Sequence, residues 1–227
     1  MPDFRQALLD SRILIFDGGY GTLLQSRGLP PGVSPELFGL KQPEVIRQAH
    51  QDYLDAGAMI LTSNTFGASR YKLESQAEAG DLNRRMAALA REAAGDKAFV
   101  AGSVGPTGHF VKPLGPLTMP ELVDAFKEQI AGLVQGGVDF ILAETHFDLA
   151  EAKAVVLAAR EVCDLPVAVS MTFEDGACLT GSSPDVFAAT MDNLGVEVTG
   201  TNCSAGPEQM ADTVRLLAAS SRAAILA

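Results

Sequence analysis

Asp17, Glu144 and Cys203 are the residues whose types and settings could do chemistry. Each ends or follows a short apolar run, where a strand would deliver a polar side chain to a cavity mouth. Asp17 follows Ile13-Leu14-Ile15-Phe16, and Glu144 follows Phe140-Ile141-Leu142-Ala143. Two carboxylates at strand ends can hold an ammonium group or divide acid and base work. Asp17 also has a plainer reading, because Asp-Gly is a turn signal. Glu144 has no such alternative: a carboxylate directly after four apolar residues must be paired or solvated in a pocket. Cys203 sits in Thr-Asn-Cys-Ser-Ala-Gly-Pro. A thiolate there serves as a nucleophile or a zinc ligand, whereas a lone cysteine is more often an inert small residue. Cys163 at a helix end, and Cys178 in a loop expected to face solvent, share no ligand spacing with it. His50, His109 and His146 form no metal-ligand pattern. The glycines at 18, 19 and 21 and the Gly-Ser-Val-Gly-Pro-Thr-Gly run at 102–108 let backbone approach a ligand, though Gly-Pro is equally a plain loop.

These residues are positioned by a regular alternation. Short apolar runs fall at 13–17, 59–63, 99–103, 140–144, 167–171 and 198–202, with a seventh at 223–227. Each is too short for a helix and suits a strand buried on both faces. Helical patterns fill 43–56, 81–94, 119–135, 149–161, 184–193 and 207–219. Pro43 opens the first and Gly57 follows it, while Thr118 and Glu121 form a capping box for the third. Strand–helix alternation at this spacing means parallel βα units. No Gly-x-Gly-x-x-Gly follows the first strand. The expected fold is therefore α/β, a TIM-type (β/α)8 barrel of about six and a half to seven βα units, with a doubly wound sheet as runner-up. In such a barrel chemistry gathers at the C-terminal strand ends. Those ends are all small and polar or acidic here, whereas the opposite ends at Arg12, Ala58, Ala98, Asp139, Pro166 and Glu197 show no such enrichment.

Composition narrows the partners. The chain has 227 residues, enough for one domain spanning 1–227, and its net charge of -11 argues against nucleic acid or an anionic membrane. No apolar stretch approaches the length of a membrane span or a signal h-region. Three cysteines without a signal indicate a reducing cytoplasm rather than a disulfide framework.

Taken together, the strand-end segments resemble the homocysteine S-methyltransferase family, and within it the branch of cobalamin-dependent methionine synthases. They are Asp-Gly-Gly-Tyr-Gly-Thr-Leu-Leu-Gln (17–25), Thr-Ser-Asn-Thr-Phe-Gly-Ala-Ser-Arg-Tyr-Lys-Leu (62–73), the glycine run at 102–108, Gly-Val-Asp-Phe-Ile-Leu-Ala-Glu-Thr-His-Phe-Asp (137–148), Met-Thr-Phe (171–173), Leu-Thr-Gly (179–181) and Gly-Thr-Asn-Cys-Ser-Ala-Gly-Pro (200–207). No single segment is decisive; the ordered set is specific. The resemblance implies a cytoplasmic enzyme of methionine biosynthesis that binds homocysteine. It implies a zinc held by three cysteine thiolates, with the substrate sulfur as fourth ligand and a methyl group transferred to that sulfur. Cys203 matches the first zinc cysteine. Glu144 and Asp17 match contacts to the substrate ammonium group. Asn64 and Asn202 would orient ligand or loops, and Ser103 and Thr107 would add backbone or hydroxyl contacts. The implied donor is methylcobalamin on another domain or protein, charged from methyltetrahydrofolate, with cobalamin-binding and folate-binding domains as partners. Betaine, S-methylmethionine or another corrinoid protein are the alternative donors.

One departure matters. The family's other two zinc cysteines are adjacent and follow the eighth strand, and no Cys-Cys pair stands in this sequence. The expectation is a fragment of a longer chain; a complementing polypeptide and a decayed copy are the other readings. Two rival functions stay open: a partial barrel that binds without catalysis, and a TIM-barrel lyase or aldolase using Asp17 and Glu144. The lyase needs a strand-end lysine or metal cluster, and Lys112 and Lys153 fall in a loop and a helix.

Overall fold

The computed structural model describes residues 3–10, 13–73, 77–204 and 206–227. Its framework is one parallel sheet of β1 (Ile60–Thr62), β2 (Phe99–Val104), β3 (Phe140–His146), β4 (Val167–Met171), β5 (Val198–Thr201) and β6 (Ala224–Leu226), ordered as in the chain. Before β1 come α1 (Phe4–Leu9), α2 (Tyr20–Ser26), α3 (Pro35–Lys41) and α4 (Pro43–Asp55). Between strands run α5 (Arg70–Leu73), α6 (Ala79–Ala94), α7 (Met119–Gln135), α8 (Leu149–Val162), α9 (Pro184–Asn193) and α10 (Pro207–Ser220). This is the expected α/β architecture, a curled, incomplete TIM-type barrel.

The strand residues alternate between two cores, as the two-residue strand period requires. Leu61, Val100, Ile141, Val167 and Val169 pack toward the helices. Ile60, Phe99, Ala101, Phe140, Leu142, Ala168 and Val198 pack inside the curl. Helix α1 closes the lower end of that interior. Its Phe4 stacks on Phe140 with ring centroids 4.0 Å apart and meets Phe99 edge-on at 5.3 Å. The opening segment reads as mixed polar in sequence because only Phe4 and Ala7 of this helix are buried.

The helix boundaries follow local chemistry. Glu121 accepts from both the Thr118 backbone N–H and hydroxyl, as the capping box requires. Helix α6 starts at Ala79, ahead of the expected 81, because the Glu78 carboxylate caps the Asp81 N–H.

Two expectations need correction. The run at 13–17 is not a strand: it makes one parallel bridge, Phe16 to Ile60, and lies alongside β1 through Met59 N–H to Ile15 O and Asp17 N–H to Ile60 O. Nothing among the described residues pairs with its other edge, so the ladder has one side only. Ile13 and Ile15 are accordingly 87% and 55% exposed. Cys178 does not face solvent. It is buried because its N–H bonds Ser182 O and Gly181 N–H bonds Cys178 O, folding the loop over it. Among the described residues, no helix is long and apolar enough to cross a membrane.

Candidate functional site

A cavity of about 690 Å³ opens where the strands end at their C-termini. Asp17, Asn64, Ser103, Glu144, Asn202 and Cys203 all line it. Thr107, the remaining expected contact, does not. Its N–H and hydroxyl both turn to Glu151 Oε1, at 2.8 and 2.6 Å.

Asp17 sits where the 13–17 segment parts from its neighbour β1. Oδ2 accepts from Thr62 N–H at 2.6 Å and from the Tyr20 hydroxyl at 3.0 Å, and Oδ1 accepts from the Thr62 hydroxyl at 2.7 Å. Burial raises its pKa above the ordinary carboxylate value, against the lowering effect of those donors. A carboxylate has about four acceptor positions, so one on Oδ1 remains open.

Glu144 reaches the cavity through a β-bulge. Ala143 pairs Val169 and His146 pairs Met171, so β3 advances three residues while β4 advances two. The extra residue re-aims the strand, with Thr145 in the left-handed region at φ 60°. Ser103 Oγ donates to Glu144 at 2.5 Å. Burial pushes the Glu144 pKa up; the Ser103 bond opposes this, and the charge on Asp17 adds to it. Of the lining residues, only Lys72 is basic, and its side chain is exposed. Two inward carboxylates without a buried cation form a receptor for one.

Asn202 ties the two sides together. Its Oδ1 accepts from Thr145 N–H at 3.2 Å and Ser170 Oγ at 2.9 Å. Its Nδ2 donates to Thr145 Oγ1 at 2.8 Å and Cys203 Sγ at 3.4 Å. All four hydrogen-bonding positions of the amide are thus occupied by protein groups. Cys203, like Thr145, has a left-handed backbone, at φ 57°. Such conformations in non-glycine residues cost about 1–3 kcal/mol and persist only where surroundings enforce them. Asn64 is buried and donates to Pro35 O at 2.8 Å.

Several lining residues escaped the sequence reading. Tyr20 lies within the 17–25 segment, where its residue type alone carries no signal of its contact with Asp17. Glu36 follows Ser34-Pro35, a helix-start signal. It accepts from Ser34 Oγ and Gly67 N–H, both at 2.5 Å, and so fixes the loop after β1. Phe66 on that loop covers Gly105: a Cβ at Gly105 would lie 2.6 Å from the Phe66 ring and its carbonyl oxygen. Gly105→Ala is therefore expected to cost about 1–3 kcal/mol of stability by overpacking. Chemical denaturation would show it, and an unshifted midpoint would mean that the Phe66 loop yields freely.

Cys203 is the one thiol at the cavity, and no group of three or more potential His, Cys, Asp or Glu ligands exists among the described residues. A tetrahedral zinc site needs three or four protein ligands, so the described residues do not fit one.

Comparison with known proteins gives a consistent picture. Residues 14–227 match the family profile described as homocysteine S-methyltransferase. The chain is 34% identical over 237 aligned positions to a methionine synthase of Mycobacterium leprae, covering 94% of this chain and 19% of that protein. It is 33% identical over 238 positions to the methionine synthase of Mycobacterium tuberculosis, covering 95% and 20%. The chain thus spans about a fifth of the length of the curated relatives it matches. The fold resembles the apo form of the homocysteine methyltransferase MmuM from Escherichia coli, with a TM-score of 0.81 at 24% identity over 98% of this chain and 84% of that one. The metallated form of the same protein gives 0.77 at 21% identity, over 97% and 93%.

Proposed function

The chain belongs to the homocysteine S-methyltransferase family, and on that premise we propose that residues 1–227 form a homocysteine-binding domain serving methyl transfer to the substrate sulfur. The observation that carries this reading is the pair of inward carboxylates, Asp17 and Glu144, in one cavity with Cys203. An amino acid brings the buried cation that the pair lacks. Its ammonium group would take the open acceptor position on Asp17 Oδ1 and the Glu144 carboxylate, which has a single protein donor in Ser103. The side chain would then run toward Cys203. Asn202, with its hydrogen bonds used up, acts as a positioning residue for Thr145 and Cys203 rather than as a substrate contact. Asn64 likewise holds the Pro35 backbone at the cavity wall. Thr107 contributes by anchoring its loop on Glu151.

Methylcobalamin, carried on another domain or protein, is the proposed methyl donor, which makes cobalamin-binding and folate-binding domains the partners and the cytoplasm the setting. Support for that choice is the identity to two methionine synthases. Zinc is the proposed activator in the full enzyme, with Cys203 offering one thiolate. Because the described residues offer no others, a second reading is favoured for this stretch by itself: it binds the amino acid and leaves sulfur activation to ligands from elsewhere.

Elemental analysis after equilibration with zinc separates the two readings. The purified chain is expected to retain well under one zinc per molecule. One full equivalent, lost in Cys203→Ala, would show that the stretch completes a metal site unaided. The substrate reading is tested by calorimetric titration with L-homocysteine, where no heat of binding at millimolar ligand would reject it.

A further inference from the structure

Behind Asp17 lies a feature that substrate binding does not use directly. The Tyr20 hydroxyl touches two partners, Asp17 Oδ2 at 3.0 Å and His50 Nδ1 at 2.5 Å. His50 is fully buried on α4, and its Nε2 has no hydrogen-bond partner among the described residues. The Tyr20 and His50 rings meet edge-on, with centroids 5.5 Å apart.

Counting protons fixes the direction of this chain. Tyr20 has one hydroxyl proton and a neutral imidazole has one ring proton. Burial holds the His50 pKa down to about 4, so the ring is neutral near pH 7. Burial and the adjacent Asp17 charge push the Tyr20 phenol well above its ordinary range, so it keeps its proton. Suppose Tyr20 donated to His50. Its oxygen lone pairs would then face the Asp17 carboxylate at 3.0 Å with no proton between them. The opposite arrangement puts a proton in both contacts: His50 Nδ1–H donates to Tyr20 Oη, and Tyr20 O–H donates to Asp17 Oδ2. A donor already accepting a hydrogen bond is itself strengthened. The row also ends at His50, since Nε2 has no hydrogen-bond partner among the described residues to take or supply a proton. It is therefore a brace and not a proton wire.

We propose that Tyr20 and His50 are positioning residues for Asp17: His50 sets the direction of the Tyr20 hydroxyl, and that hydroxyl keeps Asp17 ionised and turned so that its open Oδ1 position faces the cavity. This rests on the amino-acid reading for its purpose, but not for its geometry. The titratable groups around Asp17 are Tyr20 on α2, His50 and Tyr53 on α4, and Glu144 on β3. Thr62 on β1 is an uncharged donor.

The test is a carbon-13 NMR titration of the Asp17 carboxyl in the ligand-free chain, assigned with Asp17→Asn, and run beside calorimetry with L-homocysteine. Tyr20→Phe is expected to move the Asp17 midpoint to higher pH and weaken homocysteine binding by about tenfold, the loss of one hydrogen bond to a charged group. His50→Phe should move the midpoint the same way by less. His50→Asn, which can return an N–H near the Nδ1 position, should restore it. A merely structural role would leave the midpoint in place. An Asp17 midpoint unchanged in Tyr20→Phe, in a chain folded by circular dichroism, overturns the proposal. Tyr20→Phe alone decides it should His50→Phe fail to fold. If the parent binds no homocysteine while the midpoint still shifts, the brace stands and the substrate reading fails.

Discussion

Glu144→Gln is expected to weaken homocysteine binding by about a hundredfold and, in the same protein, to raise the stability of the ligand-free chain. Both effects follow from one fact: Glu144 is a half-buried carboxylate whose one hydrogen bond among the described residues comes from Ser103. A hydrogen bond to a charged partner contributes about 1.5–3 kcal/mol, and the desolvated setting places this one at the upper end. Without ligand the same charge is a liability. Its pKa is raised chiefly by burial, with the Asp17 charge adding to it. A group whose folded pKa is raised disfavours folding where it is ionised, and this penalty fades as pH falls through the folded value. Glutamine keeps the shape and can still accept from Ser103 but carries no charge. A gain of about 1 kcal/mol is expected at neutral pH, shrinking under acid conditions. Calorimetry reads the first effect and thermal unfolding at two pH values the second. A variant that binds homocysteine like the parent removes Glu144 from the receptor. One that is less stable than the parent at neutral pH would show that its charge is already compensated.

The largest loss of stability is expected at Glu151, which sequence analysis did not single out. Its side chain is fully buried in α8. Oε1 takes both donors of Thr107, while Oε2 faces His146 Nδ1 at 3.8 Å, too long for a hydrogen bond but close enough for an ion pair when the ring is protonated. On its far side the His146 ring lies 3.1 Å from Val104 O through Nε2. Glu151 and His146 thereby hold the start of the loop after β2 at Thr107 and Val104, between which Gly105 N–H bonds Phe66 O at the cavity wall. Glu151→Ala strands both buried Thr107 donors and removes the carboxylate that faces His146 Nδ1, an expected cost of about 3–5 kcal/mol at about 1–3 kcal/mol for each unsatisfied buried donor. Glu151→Gln should cost less, since its carbonyl can still accept from Thr107. The pH dependence has a definite sign. Burial raises the Glu151 pKa, but the facing His146 and the Thr107 donors outweigh it, so the folded value is lowered. Stability from this group is present above the unfolded carboxylate pKa and is lost as pH falls through the folded one. Denaturant titration of parent and Glu151→Ala across that range would test it. A constant difference between the two would mean that the carboxylate charge contributes nothing.

The strand ends were legible because their signal is local. An apolar run of four residues that stops at a carboxylate must either bury a charge or open onto a cavity, and Glu144 shows this without any knowledge of its neighbours. The helices at 119–135 and 184–193 were legible for the same reason, since caps and prolines act on their own turn. Cys203 and Asn202 could be placed at a strand end, but not their relation. Sequence does not reveal that one amide spends all four hydrogen bonds on its neighbours. Thr107 marks the same limit. In sequence it belongs to a glycine-rich loop facing the cavity, yet a glutamate 44 positions later claims both of its donors.

What the sequence determined by itself was the period of the elements, the sign of the charge and the side of the barrel on which polar groups gather, because each is set by neighbours along the chain. Only the tertiary structure decided which carboxylate has acceptor positions to spare, that a bulge aims Glu144, that 13–17 lies beside β1 without becoming a strand, and that His50 braces Tyr20. Those outcomes depend on hydrogen bonds between residues 30 to 60 positions apart. Such bonds form only once burial has removed water as the competing partner.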